Sequence, residues 1–171
     1  MSRLMKASVL TCVMLGAVVS SATAQTATGS ILAKANVLKA LTVTAGGDLD
    51  FGLVVAGVNK TIATSAGGAG KFTIEGQANQ AVNVSFTSLP ATLSGTGPAI
   101  PISYTGAYSG TNSAGSGTSF SPSVGLNISN QALSGAGFMY IFLGGTVSPA
   151  VGQTPGVYQG TVTIEVGYNG Y

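Results

Sequence analysis

The segment TVTIEVGY at residues 161–168 has the most regular alternation of polar and apolar residues in the chain. Its apolar positions are Val162, Ile164, Val166 and Tyr168, and the polar positions between them are Thr161, Thr163 and Glu165. Successive side chains of a β-strand point to opposite faces, so a period of two indicates a strand with one face on a core and the other in water. We therefore predict a half-buried strand here, with the apolar set pointing inward.

The same period of two recurs through the preceding sequence. It is visible in residues 29–37, 48–55, 71–75 and 82–86. Turn signals rich in glycine and proline separate these runs, as at 45–47, 66–70 and 154–156. After residue 24 we find no window with helical periodicity. Short alternating segments between frequent turns predict an all-β fold, a single antiparallel β-sandwich over residues 25–171.

The alternation also predicts which side chains form the core. The expected core residues are Leu49, Phe51, Phe72, Ile74, Val82, Val84, Phe86, Val162, Ile164 and Val166. The run FMYIFL at 138–143 differs because every position in it is apolar. A strand that is apolar on both faces is either central in its sheet or covered by another chain.

The first 24 residues have the pattern of a secretory signal peptide. Two basic residues precede the apolar run 7–19, which is too short to span a bilayer comfortably, and Ala22 and Ala24 provide the small residues of a cleavage site. We expect cleavage after Ala24 and a mature chain that begins at Gln25. The protein is then exported, to the periplasm, the cell surface or the extracellular space.

The expected mature chain carries no net charge. Its basic residues are Lys34, Lys39, Lys60 and Lys71, and its acidic residues are Asp48, Asp50, Glu75 and Glu165. Four scattered lysines cannot neutralise a phosphate backbone or bind an anionic membrane surface, so we expect neither nucleic acid as a partner nor stable membrane insertion. Such sparse charge suits a protein that packs against copies of itself or within a matrix, and equally a neutral secreted monomer.

The residues that most enzymes and metal sites need are missing. The chain has no histidine, and its one cysteine, Cys12, lies in the signal segment, which excludes the usual zinc, copper, thiolate and serine–histidine chemistry. Glu75 and Glu165 fall on the outward side of their strands. Asp48 and Asp50 have a spacing that can ligate calcium, but a solvated or turn-capping role is favoured because no further acids are close by. We expect no catalytic residues, no metal and no cofactor.

Two segments at opposite ends of the expected domain resemble a known family. Residues 41–57, LTVTAGGDLDFGLVVAG, are similar to the signature of the bacterial secreted family called domain of unknown function 4402. The residues that match its D-L-x-F-G strand are Asp48, Leu49, Asp50, Phe51 and Gly52. Residues 155–169, PGVYQGTVTIEVGYN, are similar to that family's P-G-x-Y-x-G ending, in which Tyr158 is the tyrosine.

Both segments more distantly resemble those of spore-coat-U and archaic chaperone–usher pilin subunits. That resemblance implies an incomplete immunoglobulin-like sandwich, completed by the N-terminal strand of the next subunit. The sequence lacks the cysteine pair of the pilins, so an export chaperone stays an open question as a partner.

Residues 26–38, within a possible extension at 25–38, have the properties of a donated strand. An extended peptide adds to an open sheet edge through backbone hydrogen bonds, and its alternate side chains fill pockets. The side chains expected to enter a neighbour are Ile31, Ala33, Ala35 and Val37. The other interpretation is that this segment is the first strand of its own domain.

Two functions are compatible with these features. The first is a non-catalytic exported structural protein, a fimbria-like or extracellular-matrix subunit that associates by β-strand addition with itself or with other surface subunits. The alternative is a secreted monomeric binding module. In that case the polar loop 105–119, with Tyr104, Tyr108 and Tyr140, contacts a glycan or another surface.

Overall fold

The computed structural model describes residues 25–170, and the expected signal peptide, residues 1–24, lies outside the described residues. Residues 25–35 by themselves form neither strand nor helix. The strands follow in the unit that begins at Asn36. They are β1 Thr42–Gly47, β2 Lys60–Ile62, β3 Gly70–Glu75, β4 Ala81–Ser88, β5 Thr92–Gly95, β6 Ile100–Ser109, β7 Thr118–Phe120, β8 Gly125–Ala132, β9 Phe138–Val147, β10 Tyr158–Gln159 and β11 Thr163–Tyr168. The one helical element in residues 25–170 is a three-residue 3-10 turn, Ala114–Ser116.

Two antiparallel sheets form the β-sandwich that the alternation predicts. The larger has the order β1-β3-β9-β6-β5-β10, with β2 beside β9 and β7 beside β6. Strand β9 is central, since β3 pairs along one side of it and β6 along the other. The segment 138–143 is apolar throughout because it lies in the middle of this sheet. Of the two alternatives for it, the central strand is correct.

The smaller sheet has the order β11-β4-β8. Ile164 lies opposite Phe86, and Val166 lies opposite Val84. Phe86 and Val84 are buried, whereas Glu165 between the two β11 residues is exposed. The predicted inward face of the last strand is therefore confirmed.

The core consists of two clusters, a lower one between the two sheets and an upper one between the larger sheet and the loop that carries Phe51. The lower cluster comprises Ile74, Val82, Val84, Ile128, Leu133, Met139 and Ile141. The upper cluster comprises Phe51, Ile100, Ile102 and Val147. Half of the predicted core residues are buried, namely Phe51, Ile74, Val82, Val84 and Phe86. The other half, Leu49, Phe72, Val162, Ile164 and Val166, are only half-buried. Leu49, Phe72 and Val162 line an open groove, and Ile164 and Val166 lie on the edge strand β11, so all five keep some contact with solvent.

Two runs predicted as strands are not strands. Residues 29–37 form no strand, and the first strand of the sandwich begins at Thr42. The motif Asp48–Gly52 is a loop because Gly52 takes a left-handed backbone (φ +57°) and donates its N–H to the Asp50 carboxylate at 2.7 Å. A strand cannot contain that turn. The prediction of a turn-capping role for Asp50 is confirmed.

Nearly half of the polar segment 105–119 is strand rather than loop. Its first five residues belong to β6 and its last two to β7, so the connection itself is only residues 110–117. Gly106 and Tyr108 pair with Phe120 and Thr118 in a regular antiparallel ladder. Low sequence complexity concealed a hairpin, because small polar residues fit the outer face of a sheet as well as they fit a loop.

An asparagine cluster fixes a bulge in the smaller sheet. Asn130 takes a left-handed backbone (φ +52°), and the Asn83 side-chain oxygen accepts its N–H at 2.8 Å. Asn169 completes the cluster with hydrogen bonds to the side chains of Asn83 and Asn130.

We expect Asn83→Ala to lower the free energy of unfolding by about 1–2 kcal/mol, because it removes the acceptor that holds the Asn130 backbone in this conformation. Urea unfolding measures it, with the exposed Ser129→Ala as control, and equal midpoints for the two variants would contradict the assignment.

Candidate functional site

A groove of about 1130 Å³ opens between the end of β1 and the segment that leads into β11. One wall is the end of β1 with the loop 48–56, and the other is the segment 153–162 that leads into β11. The floor is the inner face of β6 and β9 with neighbouring β3, formed by Phe72, Ile100, Ile102, Tyr104, Leu143 and Val147. We call this the side groove. It exceeds the range of about 300–1,000 Å³ that is typical of small-molecule sites.

The first wall is held in place by backbone turns. The Asp50 N–H donates to the Gly68 carbonyl at 2.9 Å, and the Lys60 ammonium donates to the Leu53 carbonyl at 2.9 Å. Phe51 points into the upper cluster and is 8% exposed. The loop is therefore anchored by one aromatic side chain, while Leu53 beside it is 95% exposed.

The second wall is held in place by hydrogen bonds of the Tyr158 hydroxyl. Its hydroxyl donates to the Thr154 carbonyl at 2.8 Å and accepts from the Gln153 amide at 2.8 Å. Val162 then follows, half-buried, just before β11 begins. The C-terminal strand predicted to include both Tyr158 and Val162 is interrupted: Tyr158 lies in β10, and Val162 lies in the stretch 160–162, which belongs to no strand.

One polar group on the groove floor is satisfied by the fold itself. The Tyr104 hydroxyl donates to the Pro90 carbonyl at 3.0 Å. Burial raises the pKa of the Tyr104 phenol above its ordinary value, which keeps it protonated as a donor. The rest of the floor is aliphatic or aromatic. The floor thus favours apolar side chains.

Two edge strands adjoin the walls of the groove: the end of β1 belongs to one wall, and β11 begins directly after the other. Among the described residues, β11 has β4 as its one neighbour and β1 has β3 as its one neighbour. An edge strand presents a row of N–H and C=O groups that another chain can pair with. Ile164 and Val166, which point inward from β11, are only half-buried. A strand added along β11 would supply the hydrogen bonds and cover these side chains.

The chain that leads into β1 is tied down from Lys39 onward. The Tyr168 hydroxyl donates to the Lys39 carbonyl at 2.6 Å and accepts the Gln77 N–H at 2.6 Å. Lys39 also forms an ion pair with Glu75, and Leu41 packs against the lower cluster. Tyr168 therefore acts as a clasp between the last strand and the segment that precedes the first.

The residues before this clasp are exposed. Ile31 is 98% exposed and Val37 is 89% exposed, and Ala33 and Ala35 are exposed as well. These are the four side chains predicted to enter a neighbour. Exposed aliphatic side chains on a segment without secondary structure gain apolar burial if they bind elsewhere.

The tyrosines proposed for a binding surface are not brought together. Tyr104 and Tyr108 point between the sheets, and the Tyr108 hydroxyl donates to the Gln131 side chain at 3.0 Å. Tyr140 lies on the outer face of β9, where its ring stacks on Phe138 at 6.1 Å. A polar cleft beside the 110–117 connection measures only about 190 Å³.

The remaining residue types give no competing site. Among residues 25–170, no three His, Cys, Asp or Glu side chains cluster as metal ligands would. In the same part of the chain, no helix is long and apolar enough to cross a membrane. Comparison of the chain with family models, curated proteins and solved structures found no match.

Residues that the sequence singled out for other reasons lie in both walls of the groove. The motif residues Asp48–Gly52 and Tyr158 all line the groove, together with Val162. The floor residues Ile100 and Ile102 were missed, and Tyr104 was predicted only for the binding surface. Their alternation in IPISY was a usable signal, but the proline and the low-complexity sequence that follows obscured the strand.

Proposed function

We propose that this protein is a non-catalytic structural subunit that associates with copies of itself by β-strand addition. In this proposal, residues 26–38 of one copy enter the side groove of the next and pair with β11. The observation that carries the proposal is the groove with its apolar floor, one wall of which leads directly into the edge strand β11, whose inward residues are half-buried.

The dimensions of the donor segment support this assignment. From Ile31 to Val37 an extended chain covers about 20 Å at about 3.3 Å per residue, which equals the length of the six-residue β11. Residues on one face of that segment are apolar, and the groove floor is apolar. The opposite face carries Lys34 and Asn36, which would stay in water.

The proposal extends to the setting in which the protein works. The expected signal peptide implies export, and zero net charge on the mature chain reduces repulsion between copies. A fimbria-like or extracellular-matrix subunit fits both properties. A homopolymer is the simplest assembly, and other surface subunits with the same groove are further candidate partners.

Deleting residues 26–38 tests the proposal. We expect the chain 25–171 to form larger species as concentration rises, because each copy carries both a groove and a donor. The deletion variant keeps the groove open and exposes an edge that aggregates. A synthetic 26–38 peptide should bind it and restore a soluble monomer.

The measurement is size-exclusion chromatography with light scattering, and peptide binding is followed by calorimetry. A peptide with the same residues in scrambled order is the control. The proposal would be overturned if the mature chain stayed monomeric at every concentration and the deletion variant did not bind the peptide. That result would favour the monomeric binding module.

A further inference from the structure

Five large aliphatic side chains at one end of the sandwich are exposed without any covering element among the described residues. They are Leu53 (95% exposed), Val55 (67%), Val58 (56%), Val151 (88%) and Val157 (70%). We call them the apolar crescent. Single exposed aliphatic residues are normal on a protein surface, but a contiguous set marks an interaction site.

The crescent is continuous with the side groove. Leu53 and Val157 line the groove from its two walls. Val55 and Val58 follow Leu53 on the same loop, and a Cβ placed on Gly57 would lie 3.1 Å from Val151. The loop 53–58 therefore touches the loop that carries Val151, and the apolar surface extends from the groove onto the end of the domain.

The chain that connects the donor segment to its own folded domain is short. The clasp holds Lys39 through Tyr168 and Glu75, and Val37 lies only two residues, about 7 Å of extended chain, before it. A copy whose Val37 enters a neighbour's groove must bring its own folded domain to the mouth of that groove. The two folded domains are then in direct contact, in addition to the pairing of the donated strand.

The direction of strand addition selects the end at which they touch. Antiparallel pairing is the more stable arrangement per residue, and β11 already pairs that way with β4. A donor antiparallel to β11 runs toward the beginning of β11 and leaves the groove beside 157–162. That is the end of the groove where the crescent lies.

We propose that the apolar crescent is a second contact surface between consecutive copies, in addition to the donated strand; this inference rests on the proposed function. It contacts the donor copy's surface around Leu38 and Val43. Leu38 is half-buried, and Val43 is 42% exposed. Because the linker is short and the contact apolar, consecutive copies are held in a fixed orientation.

The test compares the double variant Val55→Ser/Val151→Ser with the parent chain 25–171. Both residues are exposed, so the fold and the groove are retained. We expect the concentration at which the protein associates to rise about tenfold, because two partly exposed valines no longer become buried. The control is Val124→Ser/Leu126→Ser, which removes two exposed aliphatic residues (68% and 56%) around the start of β8 and should associate like the parent.

Binding of the isolated 26–38 peptide separates the two proposals. The peptide carries no folded domain, so its affinity for the deletion variant should be the same with and without the crescent substitutions. Failure of the peptide to bind either form would overturn strand addition and the crescent contact with it. Normal peptide binding, with association of the crescent variant equal to that of the parent, would overturn the crescent contact alone.

Discussion

Phe86→Ala is expected to lower the free energy of unfolding by about 3–5 kcal/mol, which is a large part of the stability of a single domain. Phe86 is 1% exposed, and its ring lies 6.2 Å from that of Phe120, so the substitution removes a large side chain from between the sheets. Strand pairing around it cannot close the cavity, because β4 is hydrogen-bonded on both sides.

Thr87→Ala is the matched control for Phe86→Ala. Thr87 is the next residue on β4, is exposed, and makes only a long hydrogen bond of 3.4 Å to the Thr163 carbonyl. Its loss should change stability by no more than about 0.5 kcal/mol. Urea unfolding followed by fluorescence or circular dichroism measures both. Equal unfolding midpoints for the two variants would show that β4 has been assigned the wrong inward face.

The alternation of residues was sufficient to predict the sandwich. In β4 and β11 the inward set is apolar and the outward set polar, so the face of each residue follows from its position alone. The segment 138–143 could be recognised as exceptional because both of its faces are apolar. In each case the local order of apolar and polar residues indicates which faces of the strand are buried.

The loop 48–56 could not be predicted from alternation. Asp48–Val55 has the same period of two as a strand, but Asp50 bonds to the Gly52 N–H and the backbone turns there. A glycine that follows an aspartate by two residues allows this turn without requiring it. Which outcome occurs depends on the packing of Phe51 in the upper cluster, and that is a contact between distant parts of the chain.

The side groove is a property of topology rather than of any one segment. Its walls adjoin β1 and β11, which are edge strands of different sheets, and no local pattern indicates which strands are edges. Ile164 and Val166 are only half-buried because β11 is an edge strand. Sequence analysis listed these residues with the fully buried ones because their pattern is identical.

The opposite faces of the donor segment provide the sharpest test of strand addition. In a 26–38 peptide, Ala35→Asp should weaken binding to the deletion variant by about 100-fold or more, because Ala35 is predicted to face the apolar floor and an unpaired carboxylate there is costly. Asn36→Asp adds the same charge one residue later, on the face expected in water, and should bind nearly as tightly as the parent peptide.

Calorimetry or fluorescence anisotropy with the two peptides measures this difference. Since a shift of one residue reverses the two faces of a strand, the pair also determines the register. If Asn36→Asp is the damaging change, strand addition holds but the face that includes Ile31 and Val37 is turned outward. If both peptides bind as the parent does, the segment does not enter the groove as a strand, because a strand must bury one of any two adjacent side chains in that floor.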